Sequence, residues 1–280
     1  MINKSGIISG ARRNLLFDIQ DGAYGAYSLR YLNREYNGDV ILAYRDSDAA
    51  ELGFTPTEIV DGTMMAWVGS SHVRVKTWYD QSGNGNDATQ SSRYNMPTVV
   101  ISGVMQFLSG SIPAVNFDGS NDFIPLNSAL PDIDIGSCSS LVVGKFDAIV
   151  GSTQEVMFSL GTTSGAKRWY APTAYQSEFN WGYGNTWNMH QETQDTDPHL
   201  FTTIAGTTQG NWQPFIDGTS LTSKTLQTGA TSGTYGIGGL NSSTAFELDG
   251  KIAEVIVYNS DQSAKRTALE KNIMDYYRIS

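Results

Sequence analysis

The spacing of apolar and polar positions changes period along the chain. Residues 1–14 carry only Ile2, Ile7 and Ile8 as large apolar residues beyond Met1, and read as an arm that cannot fold alone. Tyr24, Tyr27, Leu29, Tyr31, Leu32 and Tyr36 then recur near helical spacing, and Asn37-Gly38 supplies a stop, so a helix is expected over 24–36. A better-marked helix is expected over 56–68. Thr55 can cap it, Pro56 suits its first position, Glu58 completes a capping box and Gly69 ends it. Ile59, Met64 and Trp67 would face inward.

From residue 73 the period is two. Val73, Val75, Thr77 and Tyr79 alternate with Arg74, Lys76 and Trp78, as in a half-buried strand. Further short strands are expected at 98–101, 114–117, 140–146, 155–160, 200–206, 213–216, 234–237 and 251–258. Asp217-Gly218 is a hairpin signal. The stretch 222–232 reads as a loop. A last helix over 264–277 would be capped by Ser260 or Asp261 and would bury Ala264, Leu269, Ile273, Met274 and Tyr277. Many short strands between Gly, Ser and Asn turns indicate a sandwich or barrel. No repeat or linker divides residues 15–280, which are expected to form one domain behind the arm.

Composition agrees with a β protein. Glycine is high at 29, charged residues are low at 16%, and 14 Tyr and 6 Trp suit pleated, half-buried surfaces. The net charge of −10, without clustered Lys or Arg, argues against a nucleic-acid partner. No apolar run is long enough for membrane insertion. The single cysteine, Cys138, is expected to be a buried thiol. The N-terminus shows no standard export signal, so synthesis in a cytosol without standard export is expected.

Three stretches resemble known families. Tyr27-Ser28-Leu29-Arg30, Tyr44-Arg45-Asp46-Ser47 and the run from Trp78 to Gln90, which contains Asp80-Gln81-Ser82-Gly83-Asn84-Gly85-Asn86-Asp87, resemble the catalytic domain of α-L-arabinofuranosidase B. The run from Ala114 to Ile124, centred on Asp118-Gly119-Ser120-Asn121-Asp122, is similar to the mid-domain signature of laminin-G-like jelly rolls. The run from Asp249 to Tyr258 is similar to the last strand of that superfamily. The resemblance implies a mostly β fold: a two-sheet antiparallel jelly-roll sandwich, concanavalin A-like or laminin-G-like, with a few peripheral helices. It also implies a carbohydrate ligand.

The resemblance further implies where catalytic carboxylates would stand, and this chain departs from it there. The family's acid/base aspartate follows an Ile-Gly-Gly turn; here Ile237-Gly238-Gly239 is followed by Leu240. The family's nucleophile lies in the strand before a Trp-Gly-Tyr-Gly turn. Here the strand before Trp181-Gly182-Tyr183-Gly184 carries no acid, Glu178 is too near the turn, and Glu155 belongs to the previous strand. The family's cysteine pair is also absent near Met157-Phe158. A retaining glycosidase needs both carboxylates, so the expectation is a non-enzyme with no catalytic residue. His72, His190 and His199 lack metal-ligand spacing and are expected at the surface or in loops.

Two binding sites are candidates. Asp80, Asn84, Asn86 and Asp87 form either a structural turn or an oxygen-rich calcium site, which could share Asp118 or Asp122. Trp169, Tyr170, Trp181, Tyr183 and Trp187 form either sandwich core or a platform for sugar faces. A lectin-like sandwich without an export signal fits a bacteriophage virion surface protein made in the host cytoplasm. It would be attached to other virion proteins through the arm, would face a cell-surface glycan, and could form a homo-oligomer. The alternatives are a free, extracellular bacterial carbohydrate-binding lectin and an arabinofuranosidase-like hydrolase.

Overall fold

The computed structural model describes residues 15–126, 138–161, 168–183, 191–205, 211–222, 224–225, 236–239 and 246–280. The expected arm, 1–14, lies outside them. Two antiparallel sheets dominate. The larger runs Thr219–Ser220, Asn211–Ile216, His199–Ala205, Ser139–Phe146, Asp249–Tyr258, Val115–Asp118, Thr98–Ile101, Val73–Trp78, Ile41–Arg45 and Glu51–Phe54. The smaller runs Ile124–Pro125, Gly236–Ile237, Phe158–Gly161, Arg168–Tyr175, Glu178–Tyr183 and Gln191–Thr193. Every described pairing is antiparallel; hairpins such as Arg168–Tyr175 with Glu178–Tyr183 join sequence neighbours, while much of the large sheet pairs strands far apart in the chain. At Asp217-Gly218 both residues take positive φ, 51° and 76°, as a two-residue hairpin turn requires.

The main core includes Trp78, Phe117, Phe146, Phe158, Phe179, Trp181, Phe201 and Val255. A second cluster lies on the far side of the large sheet, where the C-terminal helix, Arg266–Tyr277, lays Leu269, Ile273 and Tyr277 over Leu141, Val143 and Ile256. The strand Asp249–Tyr258 feeds both. Its register against Ser139–Phe146 skips Ala253, so Ile252, Val255 and Val257 join the main core while Ala253, Ile256 and Tyr258 join the second. Cys138 is buried.

Several sequence expectations change. The segment 24–36 is not a helix. Gly25–Ser28 is a strand paired with Asp249–Tyr258, Gly25 opposite Val257. A side chain from far along the chain fixes the backbone of residues 28–32: the Gln81 amide donates to the carbonyls of Ser28 and Arg30 and accepts from Leu32 N–H. The expected helix over 56–68 is two, α1 Pro56–Val60 and α2 Thr63–Val68, divided where Gly62 takes φ 97°. The Thr55–Glu58 capping box is present.

The C-terminal helix, α3, starts later than expected, with Lys265 at its N-cap rather than Ser260 or Asp261, and Ala264 is exposed. Trp78 and Tyr79 exchange roles: a bulge at Lys76, where the register jumps from Val75 to Thr77, turns Trp78 into the core and leaves Tyr79 half-buried.

Candidate functional site

The turn at 80–87 is committed to the protein's own backbone. Asp80 Oδ1 accepts from Ala26 N–H and Ser82 N–H, each at 2.9 Å. Its Oδ2 accepts from the Ser82 hydroxyl at 2.6 Å and Asn86 N–H at 3.0 Å. Asp87 Oδ1 accepts from Asp80 N–H at 2.9 Å. Asn84 and Asn86 donate to the carbonyls of Ala23 and Tyr24, at 2.9 and 2.7 Å. A calcium ion needs several oxygens aimed at one open point. Here both Asp80 oxygens are saturated by donors and the two amides point N–H groups at carbonyls. No group of three His, Cys, Asp or Glu suited to a metal occurs among the described residues. The arrangement therefore favours the structural turn over the calcium site at Asp80, Asn84, Asn86 and Asp87.

The aromatic candidates divide. Trp181 is a core residue, its ring 6.2 Å from that of Phe201 and its Nε1 donating to Thr203 Oγ1 at 3.0 Å. It is not part of an exposed platform, because its indole face and its donor are both used between the sheets. Trp169, Tyr170 and Tyr183 lie in paired strands, Trp169 opposite Tyr183 and Tyr170 opposite Gly182. Trp187, like His190 and Leu240, falls outside the described residues. His199 is no loop residue: it opens a strand, bonds Asp217 at 2.6 Å and Asp195 at 2.8 Å, and packs its ring against Phe179 and Phe201.

The glycine turn after Gly236 explains its own composition. A side chain at Gly236 would overlap the Phe123 ring, and one at Gly238, which has φ 84°, would overlap that of Phe117. Gly238 N–H donates to Met157 O and its carbonyl accepts from Leu248 N–H, at 2.7 and 3.1 Å. Carboxylates gather on the segments that meet here. Asp118 pairs with Asp249 in register, and Glu247 backs onto Gly239. Glu155 Oε2 accepts from Asp249 N–H at 3.0 Å.

Four carboxyls here, those of Glu155, Asp122, Glu247 and Asp249, hold protons above the usual carboxylate range. Burial, with smaller contributions from Asp249 and Asp147, raises Glu155 to about 7. Burial, then Asp118, raises Asp122 to about 7, and its Oδ1 is enclosed without a partner. Burial also raises Glu247 and Asp249. The expected catalytic positions leave these acids out: Glu155 is set aside as part of the previous strand, and Asp118 and Asp122 enter only as calcium candidates. The available signal was the crowding of Asp118, Asp122, Glu247 and Asp249 within and beside the two strand motifs at 114–124 and 249–258.

No family model and no curated protein matches the sequence. Solved structures do match. An arabinofuranosidase complexed with arabinofuranosyl-α-1,2-xylobiose superposes with a TM-score of 0.67 at 15% identity, over 92% of this chain and 64% of that one. A GH54 α-L-arabinofuranosidase soaked with a cyclic sulfate inhibitor gives 0.65 at 12% identity over the same shares. A Trypanosoma rangeli sialidase in its covalent-intermediate complex gives 0.51 at 13% identity, over 90% of this chain and 33% of that one.

The fold is a glycosidase-like β-sandwich. The chain spans 64% of the length of the arabinofuranosidases it matches. These neighbours overturn the expectation of a non-enzymatic virion surface protein: they are glycosidases, and none of them is a virion component. The expectation of a non-enzyme is corrected with it.

Proposed function

We propose that the chain acts on glycans carrying arabinofuranosyl groups, as a glycoside hydrolase of the arabinofuranosidase type. One observation carries the reading: 92% of the chain follows the sandwich of an arabinofuranosidase whose structure holds an arabinofuranosyl-xylobiose. The carboxylates around the glycine turn support it chemically. Glycoside cleavage needs one carboxyl that is protonated near neutrality and a second that is ionised. Glu155 fits the first role, because it is partly exposed and burial holds its proton to about 7. Glu247, beside Gly239, is its proposed counterpart: burial raises it too, but less than Glu155, so it is the first of the two to ionise.

The test is release of nitrophenol from 4-nitrophenyl α-L-arabinofuranoside and of arabinose from arabinofuranosyl-xylobiose. The wild-type protein is expected to hydrolyse at least one. Glu155→Gln is expected to lower kcat by about 10²–10⁴, the usual contribution of a general acid. A folded protein that neither cleaves nor binds either sugar would refute the reading.

A further inference from the structure

One exposed aromatic stands on a rigid mount that is joined to the glycine turn through Phe123. Tyr94 is 70% exposed, the most open large apolar side chain among the described residues. Isolated apolar side chains on a surface are ordinary, so exposure alone would mean little. Three further observations single this one out.

The first is the mount. Tyr94 sits in a single 3-10 turn, Arg93–Asn95, whose flanks are fixed on both sides. Ser92 N–H donates to Gln90 Oε1 at 3.0 Å, Asn95 N–H donates to Ser92 O at 3.0 Å, and the Ser92 hydroxyl donates to Asn95 Oδ1 at 3.1 Å. A backbone fixed this way adds little ordering cost when a ligand stacks on the ring it carries.

The second is position. The Gln90 amide donates to Phe123 O at 2.7 Å, and Phe123 N–H donates to Asn95 O at 2.9 Å. The Phe123 ring in turn fills the space over Gly236. The turn bearing Tyr94 is thus clamped to the residue that packs against the glycine turn and follows Asp122.

The third is chemistry. The Arg93 guanidinium lies 5.1 Å from the Tyr94 ring centroid, is exposed, and makes no ion pair among the described residues. A sugar offers an apolar C–H face to a ring and hydroxyl oxygens to N–H donors, and this pair presents both together.

We propose that Tyr94 and Arg93 form an outer subsite that takes a second sugar of the glycan, next to the residue whose bond is cleaved. This rests on the hydrolase reading above and adds where the rest of the substrate lies. It predicts a preference for oligosaccharides over single glycosides. A protein surface docking on Tyr94 is the competing occupant.

The experiment compares kcat/KM of wild type, Tyr94→Ala, Tyr94→Trp and Arg93→Ala on arabinofuranosyl-xylobiose and on 4-nitrophenyl α-L-arabinofuranoside, with isothermal titration of both sugars. For Tyr94→Ala, the ratio of kcat/KM on the oligosaccharide to that on the aryl glycoside is expected to fall about tenfold, the scale of one lost stacking contact. Arg93→Ala is expected to lower the same ratio, and Tyr94→Trp to restore it. An unchanged ratio in Tyr94→Ala would overturn the subsite while leaving the hydrolase reading in place, and would leave the docking surface as the explanation of the exposed ring. A wild type that binds and cleaves neither sugar would overturn both.

Discussion

Glu254 receives Arg30 in a two-pronged bond, Nε to Oε2 at 2.7 Å and Nη2 to Oε1 at 2.9 Å, between side chains withdrawn from solvent. Ser28 and Tyr277 hydroxyls donate to the same Oε2, at 2.8 and 2.9 Å. The Arg30 guanidinium also lies 4.5 Å from the Tyr276 ring centroid. The network ties the Gly25–Ser28 strand, the strand Asp249–Tyr258 at the centre of the large sheet, and α3 into one unit.

Removing one partner of a buried pair leaves the other uncompensated, which costs about 3–5 kcal/mol. Arg30→Met is therefore expected to lower the urea midpoint sharply. Arg30→Met with Glu254→Leu is expected to recover a large part of that loss, because no charge is then stranded. A double variant as unstable as the single one would show that packing, not charge, dominates here.

His199 makes stability depend on pH. Burial pulls its pKa down, but the bonds to Asp217 and Asp195 prevail and raise it from 6.5 to about 9. The folded state thus holds the proton more tightly than the unfolded chain. Its contribution is fully present below pH 6.5 and is lost as pH rises through about 9. The loss is on the order of 3 kcal/mol. Denaturation at about pH 6 and about pH 9.5 should show it, and His199→Gln should flatten the difference.

Glu155 is expected to set the alkaline limb of activity. As a proton donor with a pKa raised to about 7, it works below that pH and stops above it. The same shift affects folding: stability contributed by the protonated group is lost between about pH 4.5 and pH 7 as the unfolded state releases its proton first. Stability should fall from about pH 4.5 to about pH 7 while activity falls only as pH rises through about 7, and Glu155→Gln should remove the stability component.

Gly238→Ala is expected to cost about 3 kcal/mol, since φ 84° strains any side chain and the new methyl meets the Phe117 ring. Gly151→Ala is the control, because nothing lies within 4 Å of that position. Equal urea midpoints for the two would contradict the packing described at the glycine turn.

Asp80→Ala should lower Tm by several degrees by releasing Ala26, Ser82 and Asn86 together. Millimolar calcium or a chelator should not move the wild-type Tm. A calcium-dependent rise would restore the metal reading of this turn.

Much of the sandwich could be read locally. The strand at 98–101 and the hairpin at Asp217-Gly218 depend on neighbours in sequence and stand where their patterns place them. The Thr55–Glu58 cap is equally local. The segment 24–36 failed because the groups that decide it, Asp80, Gln81 and the strand Asp249–Tyr258, lie far along the chain. Trp78 was assigned to the wrong face because a bulge is invisible to a period-two count. The carboxylate site was missed for a related reason: Asp118, Glu155 and Glu247 belong to segments that only the sheet pairings bring together.

The central strand also dictates an order of events during synthesis. Gly25–Ser28, Val115–Asp118 and Ser139–Phe146 all take Asp249–Tyr258 as a partner. None of the three can complete its ladder until its part of this strand has emerged from the ribosome, residue 252 at the earliest and residue 258 at the latest. Until then the nascent chain carries unpaired, apolar strand edges, which are templates for association with other chains. Closure of the large sheet is therefore a late, long-range step, and slow folding dominated by distant contacts is the kinetic signature to expect.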